Sequence, residues 1–328
     1  MKAVQFKSFG LPTTVADCVD LPEPGKPGAG EATVEVLATP INPSDVMTLL
    51  GMYGTLPKLP ATPGNEGIGR VLEVGSGVEH LRPGDLALLP VGAGAWTTKI
   101  LAPAAKLVPM PPDADPQQLA MLTINPPTAL LLLRDVVELK EGDWVVQNAA
   151  NSAVGTYLIK LAKLRGLKTA NIVRRDSLIE PLKKLGADVV IVDGHELGKR
   201  VSQATGGAKI RLGIDCIGGE STMRLAGALT HGGTVCNYGA MAGEPCKIGP
   251  QDLIFRNITL RGFWLAHWFA RATQMDQMTV FGQLIGLVAD GTLKAEIEAT
   301  YPLDKIKDAL AHAMQPERSG KILLTPNK

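Results

Sequence analysis

The feature that most constrains the fold is a regular alternation of β-type runs and helical stretches after Pro116. These runs, rich in β-branched residues, recur about every 20 to 25 residues, a spacing typical of βαβ units. They are 144–147 (WVVQ), 169–173 (TANIV), 189–192 (VVIV), 212–216 (LGIDC), 234–238 (TVCNY) and 258–262 (ITLRG). Six strands are the full complement of a doubly wound parallel sheet.

The chain before Pro116 has a different texture. Short β-type runs at 32–37, 69–74 and 85–89 are separated by turn residues such as the LPEPGKP stretch at 21–27. Closely spaced strands of this kind indicate an antiparallel barrel or sandwich. From about residue 290 the chain carries another strand, a short helix and a last strand, which we interpret as a tail returning to the first domain. We therefore predict an α/β protein with a β-rich domain at 1–118 and 290–328 and a parallel-sheet domain at 119–289.

Composition excludes several classes of partner. The chain has 328 residues, with 33 Lys and Arg against 32 Asp and Glu, and no basic block. A near-neutral balance argues against nucleic acid or an anionic membrane as the main partner. The longest purely apolar run, 129–133, is far too short to span a bilayer. The first six residues read as a strand, and we expect no signal or transit peptide there.

Cysteine and histidine usage gives no metal or disulfide framework. The four cysteines, Cys18, Cys216, Cys236 and Cys246, include no CxxC pair, and the five histidines form no HExxH motif. We expect the cysteines to be small buried hydrophobic residues. A reducing compartment fits this usage, and we expect a cytoplasmic protein.

A turn of small residues follows the first predicted parallel strand. The strand 144–147 leads into NAANSAVG at 148–155, and a helical stretch follows. In a GxGxxG register the glycine positions fall on Ala150, Ser152 and Gly155, so only the last glycine is present. Small residues still allow close backbone approach to a pyrophosphate, which helix N–H groups attract. We predict a dinucleotide site, the alternative being an ordinary turn between strand and helix.

Two arginines follow the next predicted strand. Arg174, Arg175 and Asp176 come about 20 residues after Gly155, where an NAD site would place an acidic residue for the ribose hydroxyls. Guanidinium groups suit the 2′-phosphate of NADPH through charge-assisted hydrogen bonds. We therefore predict NADPH; the alternative is a solvated charge pair at a strand end.

Seven segments together resemble one family along nearly the whole chain. They are 41–45 (INPSD), 51–54 (GMYG), 63–67 (PGNEG), 124–129 (INPPTA), 147–155 (QNAANSAVG), 238–241 (YGAM) and 261–265 (RGFWL). The chain resembles the zinc-independent medium-chain dehydrogenases/reductases, most of all the trans-2-enoyl thioester reductases of mitochondrial fatty-acid synthesis, and more loosely NADPH:quinone reductases. The resemblance implies a GroES-like catalytic domain, a Rossmann domain and a role in fatty acid metabolism.

The resemblance also bears on zinc. The zinc alcohol dehydrogenases have Cys where this chain has Asn42, and His where it has Asn65. Asn is a poor zinc ligand beside a thiolate or an imidazole. The segment that would supply four structural cysteines is also absent from the sequence. We expect no metal, and hence an acceptor that is already activated, such as an enoyl thioester.

The resemblance assigns the catalytic role to Tyr53. Reduction of an enoyl thioester adds hydride at the β-carbon and a proton at the α-carbon, and the enoyl reductases carry a tyrosine in the matching Gly-x-Tyr-Gly segment. A phenol with an ordinary pKa of about 10 is neutral at pH 7 and can donate a proton. The alternative is a loop aromatic that packs on a neighbour.

Other roles implied by the resemblance concern the cofactor. Asn125 would approach the nicotinamide or its ribose, and Arg174 and Arg175 would hold the 2′-phosphate. The remaining residues expected to bind NADPH are Asn151, Ser152, Ala153, Val154 and Gly155 at the pyrophosphate, Asp176 beside the arginines, and Tyr238, Gly239, Ala240, Met241, Phe263, Trp264, Leu265 and Lys321 around the nicotinamide.

Some positions leave the substrate and the assembly open. Ala153 stands where relatives often have glycine, and Ala266 where they often have a polar residue. Trp264 and Trp268 are equally compatible with a core or a dimer interface. The family implies a homodimer, through sixth-strand edges near 258–265.

Three functions stay open from sequence alone. The first is NADPH-dependent reduction of 2-enoyl-CoA or 2-enoyl-acyl carrier protein. The second is an NADPH:quinone reductase, which would tolerate the loss of Tyr53. The third is a non-catalytic NADPH-binding module, which would bind the cofactor without turnover.

Overall fold

The computed structural model describes residues 1–327 and divides into two compact units. Unit 1 comprises Met1–Ile124 and the C-terminal segment that begins at Gly282, and unit 2 comprises Asn125–Phe281.

The strands and helices are numbered along the chain. The strands are β1 (Lys2–Gln5), β2 (Asp17–Asp20), β3 (Glu31–Pro40), β4 (Ile68–Val74), β5 (Leu86–Leu88), β6 (Lys99–Pro103), β7 (Val108–Met110), β8 (Trp144–Gln147), β9 (Lys168–Val173), β10 (Val189–Val192), β11 (Leu212–Asp215), β12 (Thr234–Asn237), β13 (Thr259–Gly262), β14 (Ile297–Tyr301) and β15 (Lys321–Leu324). The α-helices are α1 (Pro12–Val15), α2 (Pro43–Leu49), α3 (Pro116–Leu119), α4 (Asn125–Arg134), α5 (Ala153–Leu164), α6 (Ile179–Leu185), α7 (Leu197–Ala204), α8 (Gly219–Gly227), α9 (Pro250–Ile254), α10 (Leu265–Phe269), α11 (Gln274–Ala289) and α12 (Ile306–Ala313).

Unit 2 contains the predicted doubly wound sheet. Its six strands are all parallel, in the order β10-β9-β8-β11-β12-β13. Numbered within the unit, this order is 3-2-1-4-5-6, that of the Rossmann fold. The predicted fold class is confirmed.

Burial explains why these short runs form parallel strands. Val145 and Val146 of β8 and Ile214 of β11 are fully buried, as expected for strands covered on both faces. The core of unit 2 packs Val146, Ile172 and Val235 with helix residues such as Leu225. The order of the strands makes β8 and β11 neighbours, so the chain reverses its direction of winding between them.

Unit 1 is built on a sheet of seven strands. The order is β14-β15-β3-β4-β5-β7, and β6 also pairs with β3. Neighbours are antiparallel except β14 and β15, which are parallel. The C-terminal strand β15 pairs with the end of β3, which brings Leu323 opposite Pro40. The tail therefore adds two strands to the sheet of unit 1.

Two hydrophobic clusters support unit 1. One contains Phe6, Trp96, Leu310 and Ile322, and the other contains Val34 with other residues of the antiparallel strands. Within the described part of the chain, no helix is both long and apolar enough to cross a membrane.

Candidate active site

The turn between β8 and α5 has the geometry of a dinucleotide-binding turn. Ala149 adopts a left-handed backbone conformation with φ of 47°, and Ser152 is the N-cap of α5. The Ser152 Oγ atom accepts a hydrogen bond of 3.1 Å from the amide of Gly155. A Cβ atom at Gly155 would lie 2.6 Å from the carbonyl oxygen of Ala150, so only glycine fits there. The helix start thus packs directly on the turn, as pyrophosphate binding requires.

Polar side chains beneath this turn hold it to the sheet. The Gln147 Nε2 atom donates to the carbonyl oxygen of Gly155 at 3.0 Å and to Asn171 Oδ1 at 2.8 Å. Both side chains are buried within strands of the parallel sheet. Sequence reasoning missed this pair, although a polar residue inside a buried strand run is a visible signal.

A buried carboxylate lies at the carboxyl end of β11. Asp215 is fully buried and accepts hydrogen bonds from several loops. The donors are Asn148 Nδ2 (2.6 Å), Ile217 N (2.9 Å), Gly218 N (3.1 Å), Thr222 Oγ1 (2.6 Å) and Asn237 Nδ2 (3.0 Å). Burial alone raises the pKa of Asp215, but the hydrogen bonds, from Thr222 above all, outweigh it and lower the pKa below its ordinary value. Asp215 is therefore an ionised acceptor.

The predicted 2′-phosphate residues follow β9 directly. Arg174 is exposed, Arg175 is half-buried, and Asp176 begins a short 3₁₀-helix. Their position after the second strand of the parallel sheet is where a doubly wound fold reads the adenosine ribose. Their assignment to the 2′-phosphate stays a prediction.

The residues predicted around the nicotinamide lie after β12 and β13. Burial, together with the neighbouring Cys216, raises the pKa of the Tyr238 phenol well above the ordinary value. A Cβ atom at Gly239 would lie 2.7 Å from the carbonyl oxygen of Cys216, so this segment packs closely on the end of β11. Ala240 and Met241 are exposed.

Aromatic residues continue this region after β13. Phe263 and Trp264 are half-buried and Leu265 is buried. The rings of Trp264 and His267 lie 4.8 Å apart, and those of Trp268 and Phe269 lie 5.3 Å apart. Asn125, the first residue of α4, is buried with an exposed fraction of 8%. The roles of these residues toward the cofactor stay predictions.

Unit 1 contains a buried chain of hydrogen bonds around Asn42, one of the two positions at which the zinc alcohol dehydrogenases carry a metal ligand. The Lys321 ammonium group donates to Asn42 Oδ1, and Asn42 Nδ2 donates to Glu66 Oε1 at 2.7 Å. The other oxygen of Glu66 accepts from the amides of Thr123 and Ile124 at 3.0 and 2.9 Å. Each partner fixes the donor or acceptor role of the next, and the donors from both ends converge on the Glu66 carboxylate.

A second carboxylate completes this arrangement. Asp45 is almost fully buried and accepts a hydrogen bond from the amide of Asn42 at 2.8 Å and one from Asn65 Nδ2, also at 2.8 Å. Burial raises the pKa of Asp45 to about 6 and also raises that of Glu66, while it lowers the pKa of Lys321. Sequence reasoning missed both carboxylates.

The side chains in this region do not form a zinc ligand set. Two amides and an ammonium group stand where a zinc dehydrogenase needs thiolate and imidazole. Among residues 1–327, no group of three or more His, Cys, Asp or Glu side chains is placed to hold a metal ion. The positive charge here belongs to Lys321, whose predicted role toward the nicotinamide stays a prediction.

Tyr53 lies in the loop that follows α2. It is half-buried, and Gly51 before it has a φ of 75°. A Cβ atom at Gly51 would lie 3.0 Å from Cβ of Phe9, so the loop packs closely on the N-terminal segment. The catalytic role of Tyr53 stays a prediction.

Comparison with known families and proteins agrees with this architecture. Residues 28–112 match the alcohol dehydrogenase GroES-like domain, and residues 153–280 match the family described as zinc-binding dehydrogenase. The rat mitochondrial enoyl-[acyl-carrier-protein] reductase is 37% identical over 331 residues, covering 99% of this chain and 88% of that protein. The Arabidopsis thaliana protein of the same name is 36% identical, covering 95% and 84%.

Solved structures point to the same group. A putative NADPH:quinone reductase from Bacillus thuringiensis superposes with a TM-score of 0.89 at 29% identity, covering 99% of this chain and 98% of that one. The complex of Etr1p with NADP and crotonyl-CoA also gives 0.89, at 27% identity and 99% coverage of each chain. The fold and site thus define an NADPH-dependent oxidoreductase. The chain belongs to the medium-chain dehydrogenase/reductase family, among the relatives of the enoyl-acyl carrier protein reductases.

These comparisons confirm the family and NADPH as the cofactor, and they correct one expectation. The prediction of a cytoplasmic protein is wrong, because the enoyl-acyl carrier protein reductases of rat, Arabidopsis and human are named mitochondrial. Unpaired cysteines argue only against an oxidising compartment. They do not distinguish one reducing compartment from another.

We expect Lys321→Met to destabilise the protein. The substitution leaves Asp45 and Glu66 buried without their cation and removes the donor to Asn42 Oδ1. The free energy of unfolding at pH 7, from urea denaturation followed by circular dichroism, should fall by about 3 kcal/mol. Lys307→Met is the control, because Lys307 pairs with Asp17 at 2.8 Å in an exposed site, and its change should stay within about 0.5 kcal/mol. Equal stability of the two variants would contradict the assignment.

Proposed function

We propose that this protein reduces the 2,3 double bond of 2-enoyl thioesters with NADPH. The observation that carries the proposal is its similarity to enoyl-acyl carrier protein reductases along 99% of the chain. The crotonyl-CoA in the related Etr1p complex supports the same thioester chemistry with a different carrier. An enoyl thioester is common to both, and the reduction of its 2,3 double bond belongs to fatty acid metabolism.

The donor set in unit 1 suits a substrate that needs no metal. In a zinc alcohol dehydrogenase, the metal is the Lewis acid that acidifies the hydroxyl group of the substrate. At the two positions where the zinc alcohol dehydrogenases carry Cys and His, this chain has the amides of Asn42 and Asn65. The Lys321 ammonium group is hydrogen-bonded to Asn42. An enoyl thioester is already polarised by its own carbonyl group, so the protein has to orient it and manage one proton.

Each residue then has a defined task. Bound NADPH supplies the hydride that the β-carbon of the substrate receives. The turn before α5 holds the pyrophosphate, and Arg174 and Arg175 hold the 2′-phosphate. Tyr53 stabilises the charge that develops on the thioester oxygen, or donates the proton that the α-carbon receives. The product is the saturated acyl thioester.

We predict that Tyr53→Phe lowers kcat for crotonyl-CoA by about tenfold or more, because the proton donor is lost while the ring remains. NADPH oxidation followed by absorbance at 340 nm gives kcat, and cofactor fluorescence gives the Kd of NADPH, which should not change. Tyr301→Phe is the matched control, since the Tyr301 hydroxyl bonds His312 Nδ1 at 2.9 Å in the same unit. Unchanged turnover in Tyr53→Phe would remove Tyr53 from the mechanism.

A second candidate function is NADPH:quinone reduction, which the Bacillus thuringiensis structure favours. The same assay with a soluble quinone separates the two. Turnover of quinone alone, indifferent to Tyr53→Phe, would replace the enoyl thioester proposal.

The arginines after β9 should set the preference for NADPH. We predict that Arg174→Ala with Arg175→Ala raises the Kd of NADPH by about tenfold or more, since charge-assisted hydrogen bonds to the 2′-phosphate are lost. The Kd of NADH, which lacks this phosphate, should stay within about twofold. Arg211→Ala, at the opposite end of the sheet, is the control. Parallel loss of both cofactors would argue against the assignment.

We also propose a homodimer through the edge of the parallel sheet. All four residues of β13 are exposed, and β13 ends the sheet. The segment leading into it exposes Ile254 and Phe255 by 69% and 74%. An unpaired strand beside apolar side chains is a template for pairing with another chain, and a second copy fits it by symmetry.

Light scattering after size exclusion tests this assembly. The wild-type protein should have twice the chain mass, and Leu260→Lys on β13 should give the chain mass. The control Leu164→Lys changes an exposed leucine at the end of α5 and should leave the dimer intact. A wild-type mass equal to that of one chain would contradict the proposal.

A further inference from the structure

The buried carboxylate of Asp215 connects groups at the carboxyl ends of three strands of unit 2. Asn148 follows β8, Ile217 and Gly218 follow β11, and Asn237 ends β12. Each of them donates a hydrogen bond to one of the two carboxylate oxygens. Because Asp215 is fully buried, it acts through these groups and not by touching a ligand itself.

The position of Asp215 in the sheet relates these hydrogen bonds to cofactor binding. β8 and β11 are neighbours although β9 and β10 lie between them in sequence, so they flank the point where the winding reverses. Doubly wound folds bind dinucleotides outside the carboxyl ends of the strands at this point. The hydrogen bond of 2.6 Å from Asn148 to Asp215 crosses it.

Asn148 is the first residue of the dinucleotide turn, and hydrogen bonds fix both the nitrogen and the oxygen of its side-chain amide. Its Nδ2 atom donates to Asp215 and, at 3.1 Å, to Ser221 Oγ, while its Oδ1 atom accepts from the amide of Cys216 at 2.8 Å. Ala149 follows with a positive φ of 47°, a conformation that non-glycine residues adopt at a cost. The fixed Asn148 side chain keeps the backbone in this arrangement.

The second carboxylate oxygen, Oδ2, is linked through hydrogen bonds to the segment predicted to line the nicotinamide. Oδ2 accepts from Thr222 Oγ1 at 2.6 Å and from Asn237 Nδ2 at 3.0 Å. The same Asn237 Nδ2 atom also donates to the carbonyl oxygen of Gly239 at 2.9 Å. Gly239 belongs to the segment predicted to line the nicotinamide. One carboxylate thus fixes both the pyrophosphate turn and this segment.

We propose that Asp215 is a positioning residue for NADPH, which holds the Asn148 turn and the Asn237–Gly239 segment in the conformation that binds the cofactor. Every partner of the carboxylate is a donor, so it acts as an acceptor only. Its lowered pKa agrees with this ionised state. Without Asp215, NADPH would have to order both loops when it binds, and this ordering would weaken the affinity.

The decisive experiment measures NADPH binding directly by cofactor fluorescence. Asp215→Asn keeps the shape of the side chain but puts an NH₂ group against donors, and the Kd of NADPH should rise by about tenfold or more. The control is Asp143→Asn, a half-buried carboxylate paired with Arg211 at the opposite end of the same sheet. Circular dichroism at the assay temperature and the Tm establish that each variant is folded.

A milder pair of variants keeps the test valid if Asp215→Asn does not fold. Thr222→Val removes the hydroxyl donor at nearly constant volume, and Thr222→Ser retains it. We expect Thr222→Val to raise the Kd of NADPH by about threefold or more, and Thr222→Ser to restore it. A Kd within twofold of the wild type in folded Asp215→Asn, or equal values for Val and Ser at 222, would overturn the proposal.

Steady-state kinetics separate positioning from general loss of structure. The KM for NADPH should rise with the Kd, while kcat at saturating NADPH should stay within about threefold of the wild type. The inference rests on NADPH as the cofactor of the proposed function, and it does not depend on which substrate receives the hydride. Cofactor binding without enoyl thioester turnover would therefore refute the substrate proposal and leave the role of Asp215 intact.

Discussion

The parallel pairing of β8 with β11 is the constraint on which the cofactor-binding unit depends. It places the carboxyl ends of two strands distant in sequence side by side, where a dinucleotide can bind between their loops. The pairing also brings Asn148 within hydrogen-bond distance of Asp215. Loops that bind a cofactor are otherwise the least constrained parts of a fold. Here the loops share one buried hydrogen-bond acceptor, Asp215. The pairing of the strands therefore also fixes the positions of these loops relative to one another.

Burial of charge follows the same rule in both units. A buried carboxylate is tolerated when donors satisfy its oxygens, and Asp215 and Glu66 each accept several hydrogen bonds. In unit 2 the donors are all neutral, and in unit 1 the chain also includes the Lys321 ammonium group. The second arrangement occupies the region where the zinc dehydrogenases that this chain resembles carry their metal ligands. A side-chain cation there is compatible with a reaction whose substrate supplies its own electrophile.

Much of the fold could be predicted from sequence, because strand-forming residues and their spacing are local signals. The runs at 144–147 and 189–192 coincide with β8 and β10, and the last glycine of the dinucleotide turn, Gly155, has the close approach that its position predicts. Sequence reasoning missed Asp215 and Glu66, since their donors lie far away along the chain. A carboxylate at the end of an apolar strand was the available signal for Asp215. The compartment was predicted wrongly, because cysteine usage reports redox conditions only.

The sequence by itself determined the class of fold, because the strand runs and their spacing are local signals, and it predicted the dinucleotide turn and the arginines for NADPH from residues that are close together along the chain. The tertiary structure decided which polar residues act together. Lys321 reaches Asn42 only because β15 pairs with the end of β3, and Asn237 reaches Asp215 only because β12 lies beside β11. Hydrogen bonds need atoms within about 3 Å. Pairings of distant strands bring such atoms together, and no local pattern encodes them.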